Sequence, residues 1–385
     1  MKFGTHLLHT GFETDPATGA ASVPIYQVST FHQASLDTSG RYDYARSGNP
    51  TRQAAEDALA ALEGGARGCL FASGMAALSS ALLLFSSGDH LVVTDDCYGG
   101  TYRVLTRIFN RLGISASFVD TSDPVAVAAA LRPNTRALLL ETLSNPYLKV
   151  TDIAACSAIA RERRLLTIVD NTLLSPLLCR PLELGADLVI HSATKYLGGH
   201  SDIIAGAAVA ATPELGNELY FVQNAVGAVL GPQDSFLLLR GLKTLQVRLE
   251  RQQATAVALA AALVRHPAVA QVYYPGLPEH HGHAVLQRQA AGAGAVLTFA
   301  LKDDAMLRPF AGALKLPLVG VSLGAVETIL TVPALHSHAS VPAAQRAERG
   351  ISERLLRLSV GLEDVADLQA DLDQALRAAL AATAR

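Results

Sequence analysis

The stretch Asp187-Leu-Val-Ile-His-Ser-Ala-Thr-Lys-Tyr-Leu-Gly-Gly-His-Ser-Asp-Ile-Ile204 decides the reading of this chain. Leu188 to Ile190 is a short apolar run, which predicts a buried strand. That strand delivers Ser192, Thr194 and Lys195 to its polar end, and Gly198 and Gly199 follow. Desolvation disfavours an ammonium, so a lysine just past a core strand has a lowered pKa and a nucleophilic amine. This is the chemistry of a Schiff-base lysine. Hydroxyls one and three positions before it suit a phosphate. The segment points to pyridoxal phosphate, although a lysine beside two glycines is also a common surface-loop arrangement.

Two further segments complete such a site. A pyridine ring used as an electron sink needs a carboxylate against its nitrogen. Leu165-Leu-Thr-Ile-Val-Asp-Asn171 is an apolar run ending in Asp170, 25 positions before Lys195. In a parallel sheet, ligands collect at the carboxyl ends of the strands, so both residues face one crevice. Read alone, Asp170 before Asn-Thr is a turn or helix cap; the pairing with Lys195 reverses that. Phe71-Ala-Ser-Gly-Met-Ala-Ala-Leu78 reads as a helix start with Ser73 as cap. Free N–H groups at a helix N-terminus bind anions, which places Gly74 and Met75 at the phosphate.

Together these residues carry a resemblance. Tyr42-Asp-Tyr-Ala-Arg-Ser-Gly-Asn-Pro-Thr-Arg52, Asp96-Cys-Tyr-Gly-Gly-Thr-Tyr-Arg103 and His191-Ser-Ala-Thr-Lys-Tyr-Leu-Gly-Gly-His200 resemble the Cys/Met-metabolism family of fold-type I pyridoxal-phosphate enzymes. The resemblance runs from Val23-Pro-Ile-Tyr-Gln to Leu356-Arg-Leu-Ser-Val-Gly-Leu-Glu-Asp364. It implies that Lys195 bonds the cofactor and shuttles protons, and that Asp170 pairs with the ring nitrogen. Ser192, Thr194, Gly74 and Met75 hold the phosphate, and Tyr98 stacks on the ring. Tyr44 and Arg46 reach the phosphate of a neighbouring subunit. Arg357 binds the substrate α-carboxylate, supported by Asn145 and Ser322. Arg103, Asp43 and Glu327 face the far end of a two-ended substrate. Catalysis is assigned to Lys195, Tyr98 and Asp170. The activity implied is carbon–sulfur cleavage of L-cystathionine by γ-elimination. Cystathionine β-lyase, cystathionine γ-synthase and O-acetylhomoserine sulfhydrylase activities stay open, because these enzymes share residues. Methionine γ-lyases typically carry Cys where this chain has Gly100, which argues against that activity. The implied assembly is a homotetramer of active dimers. Departures are Leu143, Leu173 and His336, where the family commonly has Pro, an aromatic and Met.

Composition sets the frame. The chain has 385 residues, half of them hydrophobic, a net charge of -3 and no basic blocks. It is long enough for about two domains, and nothing points to nucleic acid. Cys69, Cys97, Cys156 and Cys179 lack C-x-x-C spacing and read as reduced thiols of a cytoplasmic protein. The N-terminus has no apolar signal region, and no run approaches a membrane span. Glu279-His-His-Gly-His283 matches no zinc spacing, so no metal site is expected. Gly292-Ala-Gly294 lacks the third glycine of a dinucleotide loop. His336 and His338 read as structural.

The pattern divides the chain into an extended N-terminal arm over residues 1–47 lying on a neighbouring subunit, a large cofactor-binding domain over 48–248 and a C-terminal domain over 249–385. In the middle region Ala/Leu-rich helical stretches (53–62, 101–111, 153–163) alternate with short strands (91–94, 137–140, 167–170). Such alternation predicts an α/β fold with a doubly wound, mostly parallel sheet. A long helix through about 264, strands at 295–300 and 329–331, and a closing helix over 365–382 build a smaller α+β domain.

Overall fold

The computed structural model describes residues 1–385 except 12, 13, 38, 39, 338, 340–342, 384 and 385, and omits the side chains of 345, 347 and 348. His338 therefore lies outside the described residues. Seven strands form the larger sheet: β1 (Arg67–Phe71), β2 (His90–Thr94), β3 (Ser115–Val119), β4 (Thr135–Glu141), β5 (Leu166–Asp170), β6 (Leu188–His191) and β7 (Gly206–Ala210). Their spatial order is β1-β7-β6-β5-β4-β2-β3. Strands β2 to β6 are parallel, and β7 runs antiparallel to both β6 and β1.

The strand sequences explain this burial. Val92, Leu138, Leu140, Val169 and Val209 belong to one apolar cluster; Leu91, Val93, Leu139, Ile168 and Ile190 belong to another. Side chains alternate between faces along a strand, so a continuous apolar run supplies a core to each face. The polar residues come where each run ends. Glu141 stands opposite Asp170 in the β4–β5 register, and Asp170 opposite Ile190 in β5–β6. The parallel strands therefore open their carboxyl ends at one place.

The smaller sheet has the order β10-β11-β12-β9-β8. Its strands are β8 (Val269–Tyr273), β9 (Val296–Leu301), β10 (Leu318–Val319), β11 (Ile329–Thr331) and β12 (Leu355–Ser359). The 20-residue helix Leu245–Val264 joins the two sheets, and the expected division at residue 248 falls inside it. Arg248 on this helix donates to the carbonyls of Tyr196 and Gly241, each at 2.9 Å. Gln252, one turn on, donates to Ala325 O at 2.6 Å and Val360 O at 3.0 Å. The helix thus fixes the Lys195 segment relative to the second sheet.

The first residues differ from an extended arm. Phe3–His9 is a helix that buries Leu7 and packs against the helix Pro50–Glu63 of its own chain. An apolar residue with a surface to cover outweighed the turn-rich composition. Further on the chain folds back, with Phe31 N–H donating to Asp43 O at 2.9 Å. The helix expected over 101–111 starts at Gly99 and ends at Arg107, followed by a 3₁₀ turn at Phe109–Leu112.

Among the described residues no helix is long and apolar enough to cross a membrane. All four cysteines are free and buried. Burial pushes the thiols of Cys69, Cys156 and Cys179 up to about 12. A thiol-specific chromogenic disulfide is therefore expected to find no reactive cysteine in the native protein at pH 8, and all four after unfolding; rapid native labelling would contradict this packing.

Candidate active site

One cavity of about 990 Å³ lies at the carboxyl ends of the parallel strands. Ser73, Gly74, Met75, Tyr98, Arg103, Asn145, Asp170, Ser192, Thr194, Lys195, Ser322 and Arg357 all line it. Residues from both sheets and from positions far apart in the chain are brought to one space.

An anion cradle forms one end. The helix Gly74–Leu82 is capped by Ser73, whose hydroxyl accepts the Ala76 N–H at 3.1 Å. The N–H groups of Gly74 and Met75 have no acceptor among the described residues. Unpaired donors of a first helical turn attract a phosphate. The approach is close: a Cβ at Gly74 would lie 2.8 Å from Ser192 Cβ and 3.0 Å from its Oγ. Only glycine lets the helix start against the end of β6. The Thr194 hydroxyl donates to Ala205 O and accepts its N–H, which fixes its orientation.

Lys195 directly follows Thr194. Its Nζ donates to Ser322 Oγ at 2.7 Å. Burial, reinforced by the neighbouring Arg357 cation, lowers its pKa from 10.5 to about 8. Ser322 adopts φ +90°, a conformation that side chains other than glycine's rarely hold. Such strain persists where surrounding contacts enforce it. Here the Ser322 carbonyl accepts Arg357 Nη2 at 2.9 Å.

Asp170 presents one free oxygen. Thr172 occupies Oδ1 with its N–H at 3.0 Å and its hydroxyl at 2.5 Å. Oδ2 has no partner among the described residues and suits a protonated ring nitrogen. The Thr172 hydroxyl also accepts the Ser192 N–H at 2.8 Å, linking β5 to the Lys195 loop. Burial raises the Asp170 pKa, and the Thr172 hydrogen bonds oppose it. Glu141, absent from the sequence-based assignment, is buried beside it and lines the same cavity. Burial and then the Asp170 charge hold its carboxyl well above the usual range. Glu141 Oε1 accepts the Tyr98 N–H at 2.7 Å and so anchors the start of the helix Gly99–Arg107. The strand-end argument that finds Asp170 also finds Glu141, which closes the neighbouring apolar run.

Arg357, on β12, is buried. Its Nη1 donates to Asn145 Oδ1 at 3.1 Å and its Nη2 to Thr331 Oγ1 at 3.1 Å. Asn145 precedes the cis peptide to Pro146. Arg357 Nε has no partner, and no carboxylate pairs with the guanidinium among the described residues. A buried cation without a counter-ion is costly, and an incoming carboxylate removes that cost. An unpartnered donor pair for phosphate, a free carboxylate oxygen, an amine of lowered pKa and a guanidinium without a carboxylate partner together fit pyridoxal phosphate and an amino acid.

Other expected residues stand elsewhere. Tyr44 and Arg46 are exposed and stack on each other, with Arg46 Cζ 5.7 Å from the Tyr44 ring centre. Neither lines the cavity of its own chain. Asp43 is exposed and accepts the Tyr44 N–H at 2.6 Å. Glu327 is exposed and also lies off the cavity wall. Leu143, Leu173 and His336 line it. His283, in the histidine run, is held by Pro275 O at 2.8 Å.

The chain belongs to the family of Cys/Met metabolism PLP-dependent enzymes, whose sequence model matches residues 4–377. It is an enzyme of that kind, and its cofactor is pyridoxal phosphate. It is 54% identical over 373 residues to the cystathionine beta-lyase of Bacillus subtilis, covering 97% of this chain and 96% of the relative. It is 51% identical over 376 residues to the cystathionine gamma-lyase of the same organism, covering 98% and 99%. Among solved structures, cystathionine gamma-lyase from Lactobacillus plantarum complexed with L-serine superposes with a TM-score of 0.97 at 44% identity, covering 99% of this chain and 100% of that one. Cystathionine gamma synthase from Xanthomonas oryzae in complex with cystathionine gives 0.97 at 43%, covering 99% of each.

Two measurements check this geometry. Only the neutral amine attacks an aldehyde, so the rate of cofactor loading into the apoprotein should rise with pH through about 8 and level off above it; a rate still climbing at pH 10, as for a solvated lysine, would contradict the desolvated Lys195. A Cβ at Gly100 would lie 2.4 Å from Tyr98 Cε1 and 2.8 Å from Met75 Sδ. Gly100→Ala should therefore displace the Tyr98 ring and raise the cofactor dissociation constant about tenfold, within the roughly 1–3 kcal/mol of an overpacked site. Absorbance titration of the apoprotein reads it.

Proposed function

We propose that the protein cleaves the carbon–sulfur bond of L-cystathionine by γ-elimination, releasing cysteine, 2-oxobutyrate and ammonia. The observation that carries the reading is the juxtaposition of the Lys195 amine, its pKa lowered by burial, with the Arg357 guanidinium that lacks a carboxylate partner among the described residues, in a cavity large enough for a two-ended amino acid. Arg357 takes the α-carboxylate bidentately, the geometry a guanidinium fork favours. Asn145 and Ser322 hold that fork in place. Bound pyridoxal phosphate supplies an electron sink for charge developing at Cα. Asp170 holds a proton on the ring nitrogen, and Gly74, Met75, Ser192 and Thr194 bind the phosphate.

Lys195 removes the Cα proton, gives that proton up to the conjugated system that holds the Cα electrons, and, neutral again, removes a Cβ proton. Its pKa near 8 lets it act as base and acid within one turnover. Loss of the Cβ proton expels the thiolate from Cγ. Tyr98, at the cavity wall, faces the departing sulfur and can donate the proton that makes it a thiol. Tyr44 and Arg46 complete the phosphate site of a neighbouring subunit, which makes the working unit a dimer and the assembly a pair of such dimers. The setting is cytoplasmic, in keeping with four reduced, buried thiols.

One observation favours a second reading. The Bacillus subtilis beta-lyase is slightly more similar to this chain than the gamma-lyase, 54% against 51%. In β-elimination the thiolate leaves directly from Cβ and a single proton abstraction suffices. Products decide. With L-cystathionine, the loaded enzyme is expected to release 2-oxobutyrate and cysteine; pyruvate and homocysteine would establish β-elimination instead. Absence of any keto acid would overturn both and favour transfer onto an activated homoserine.

A further inference from the structure

His336 lines the cavity in a fixed tautomer. Its ring Nδ1 accepts the Val332 N–H at 3.1 Å, while the His336 main-chain N–H donates to Val332 O at 3.0 Å. An imidazole nitrogen that accepts a main-chain N–H carries no proton, so the proton of the neutral ring sits on Nε2. Nε2 has no partner among the described residues. That main-chain hydrogen bond orients the ring at the cavity wall. Val332 directly follows β11, whose Thr331 holds Arg357. Thr331 therefore ties the segment that carries His336 to the carboxylate-binding arginine on the neighbouring strand β12.

The charges lining the cavity indicate what this edge can meet. Lys195, Arg357 and Arg103 are its cations, and Asp170 and Glu141 its carboxylates. Both carboxylates stand side by side at the strand ends, and Glu141 is committed to Tyr98 N–H. Lys195 is the base and Arg357 takes the α-carboxylate. Arg103 and the Nε2–H of His336 remain, together with hydroxyls such as that of Ser201, and among the described residues no further carboxylate of this chain lines the cavity: its own Asp43 and Glu327 lie off the wall. A guanidinium and a ring N–H on this wall suit an anion, to which hydroxyls can also donate.

We propose that His336 is a specificity-determining residue that donates its Nε2–H to the second carboxylate of a two-ended amino-acid substrate. The assignment builds on the reading that such a substrate enters this cavity. It sets the protein's preference for substrates carrying a carboxylate beyond the scissile bond over those ending in an alkyl group.

The test reads binding apart from turnover. In the cofactor-loaded Lys195→Ala protein, calorimetry gives the dissociation constants of L-cystathionine and of L-ethionine, which ends in an ethyl group. Adding His336→Leu should raise the first about tenfold, the loss of one hydrogen bond to a charged group, and leave the second within about twofold. His336→Gln keeps an N–H near the Nε2 position and should retain the parent ratio, which separates a lost donor from a disturbed loop. In the otherwise unaltered enzyme, His336→Leu should raise KM for L-cystathionine with kcat unchanged. Equal changes for both ligands, no change for either, or no binding of L-cystathionine to the parent would overturn the assignment. A selective loss of binding in a protein that releases no keto acid would sink the lyase reading and leave the role of His336 standing.

Discussion

The unpaired guanidinium of Arg357 is the group on which the rest of the site depends. It is buried without a carboxylate, and its neutral partners come from separate parts of the fold. Asn145 follows β4 of the larger sheet, Thr331 ends β11 of the smaller one, and Ser322 lies in the loop between β10 and β11. Three carbonyl or hydroxyl oxygens soften the cost of burying the cation but do not neutralise it. An anion that meets the guanidinium removes the remaining cost, which favours an amino-acid carboxylate there. The same cation helps depress Lys195, and through Ser322 it controls where the lysine amine points. Substrate recognition and base strength are therefore set by one charge.

Two carboxyls on adjacent strands are separated in role by their hydrogen bonds. Asp170 receives both donors of Thr172, which favour its charged form against burial. Glu141 receives one main-chain N–H and faces the Asp170 charge, so it stays protonated more readily. Two like charges in register cannot both be ionised cheaply away from water. The arrangement leaves the negative charge where a ring nitrogen can meet it and uses the other carboxyl to hold Tyr98.

Much of this was legible in the chain because strand ends are legible. An apolar run that stops at Asp170, or at His191 just before Ser192 and Lys195, marks both the strand and the place where its polar end emerges. Glu141 obeyed the same rule and was passed over, since a lone glutamate after Leu138-Leu-Leu carries no motif. The Phe3–His9 helix was hidden for another reason. Seven residues with one buried leucine give too little periodicity to outweigh glycines and prolines nearby. Tyr44, Arg46, Asp43 and Glu327 keep off the cavity of their own chain, a placement no local pattern encodes.

The sequence by itself determined the fold class, the lysine, its aspartate and the helix start, because strand alternation, desolvation and capping are local or periodic properties. Tertiary structure decided what sequence spacing does not contain. It brought Arg357 from β12 to Asn145 across 212 positions, left the guanidinium without a counter-ion among the described residues, and set Gly100 so close to Tyr98 that a larger residue must displace the ring. It also turned His336 so that one ring nitrogen is spent on the backbone and the other has no partner among the described residues. Those are consequences of packing two sheets around one helix, and distance in space, not order along the chain, fixes charge and tautomer.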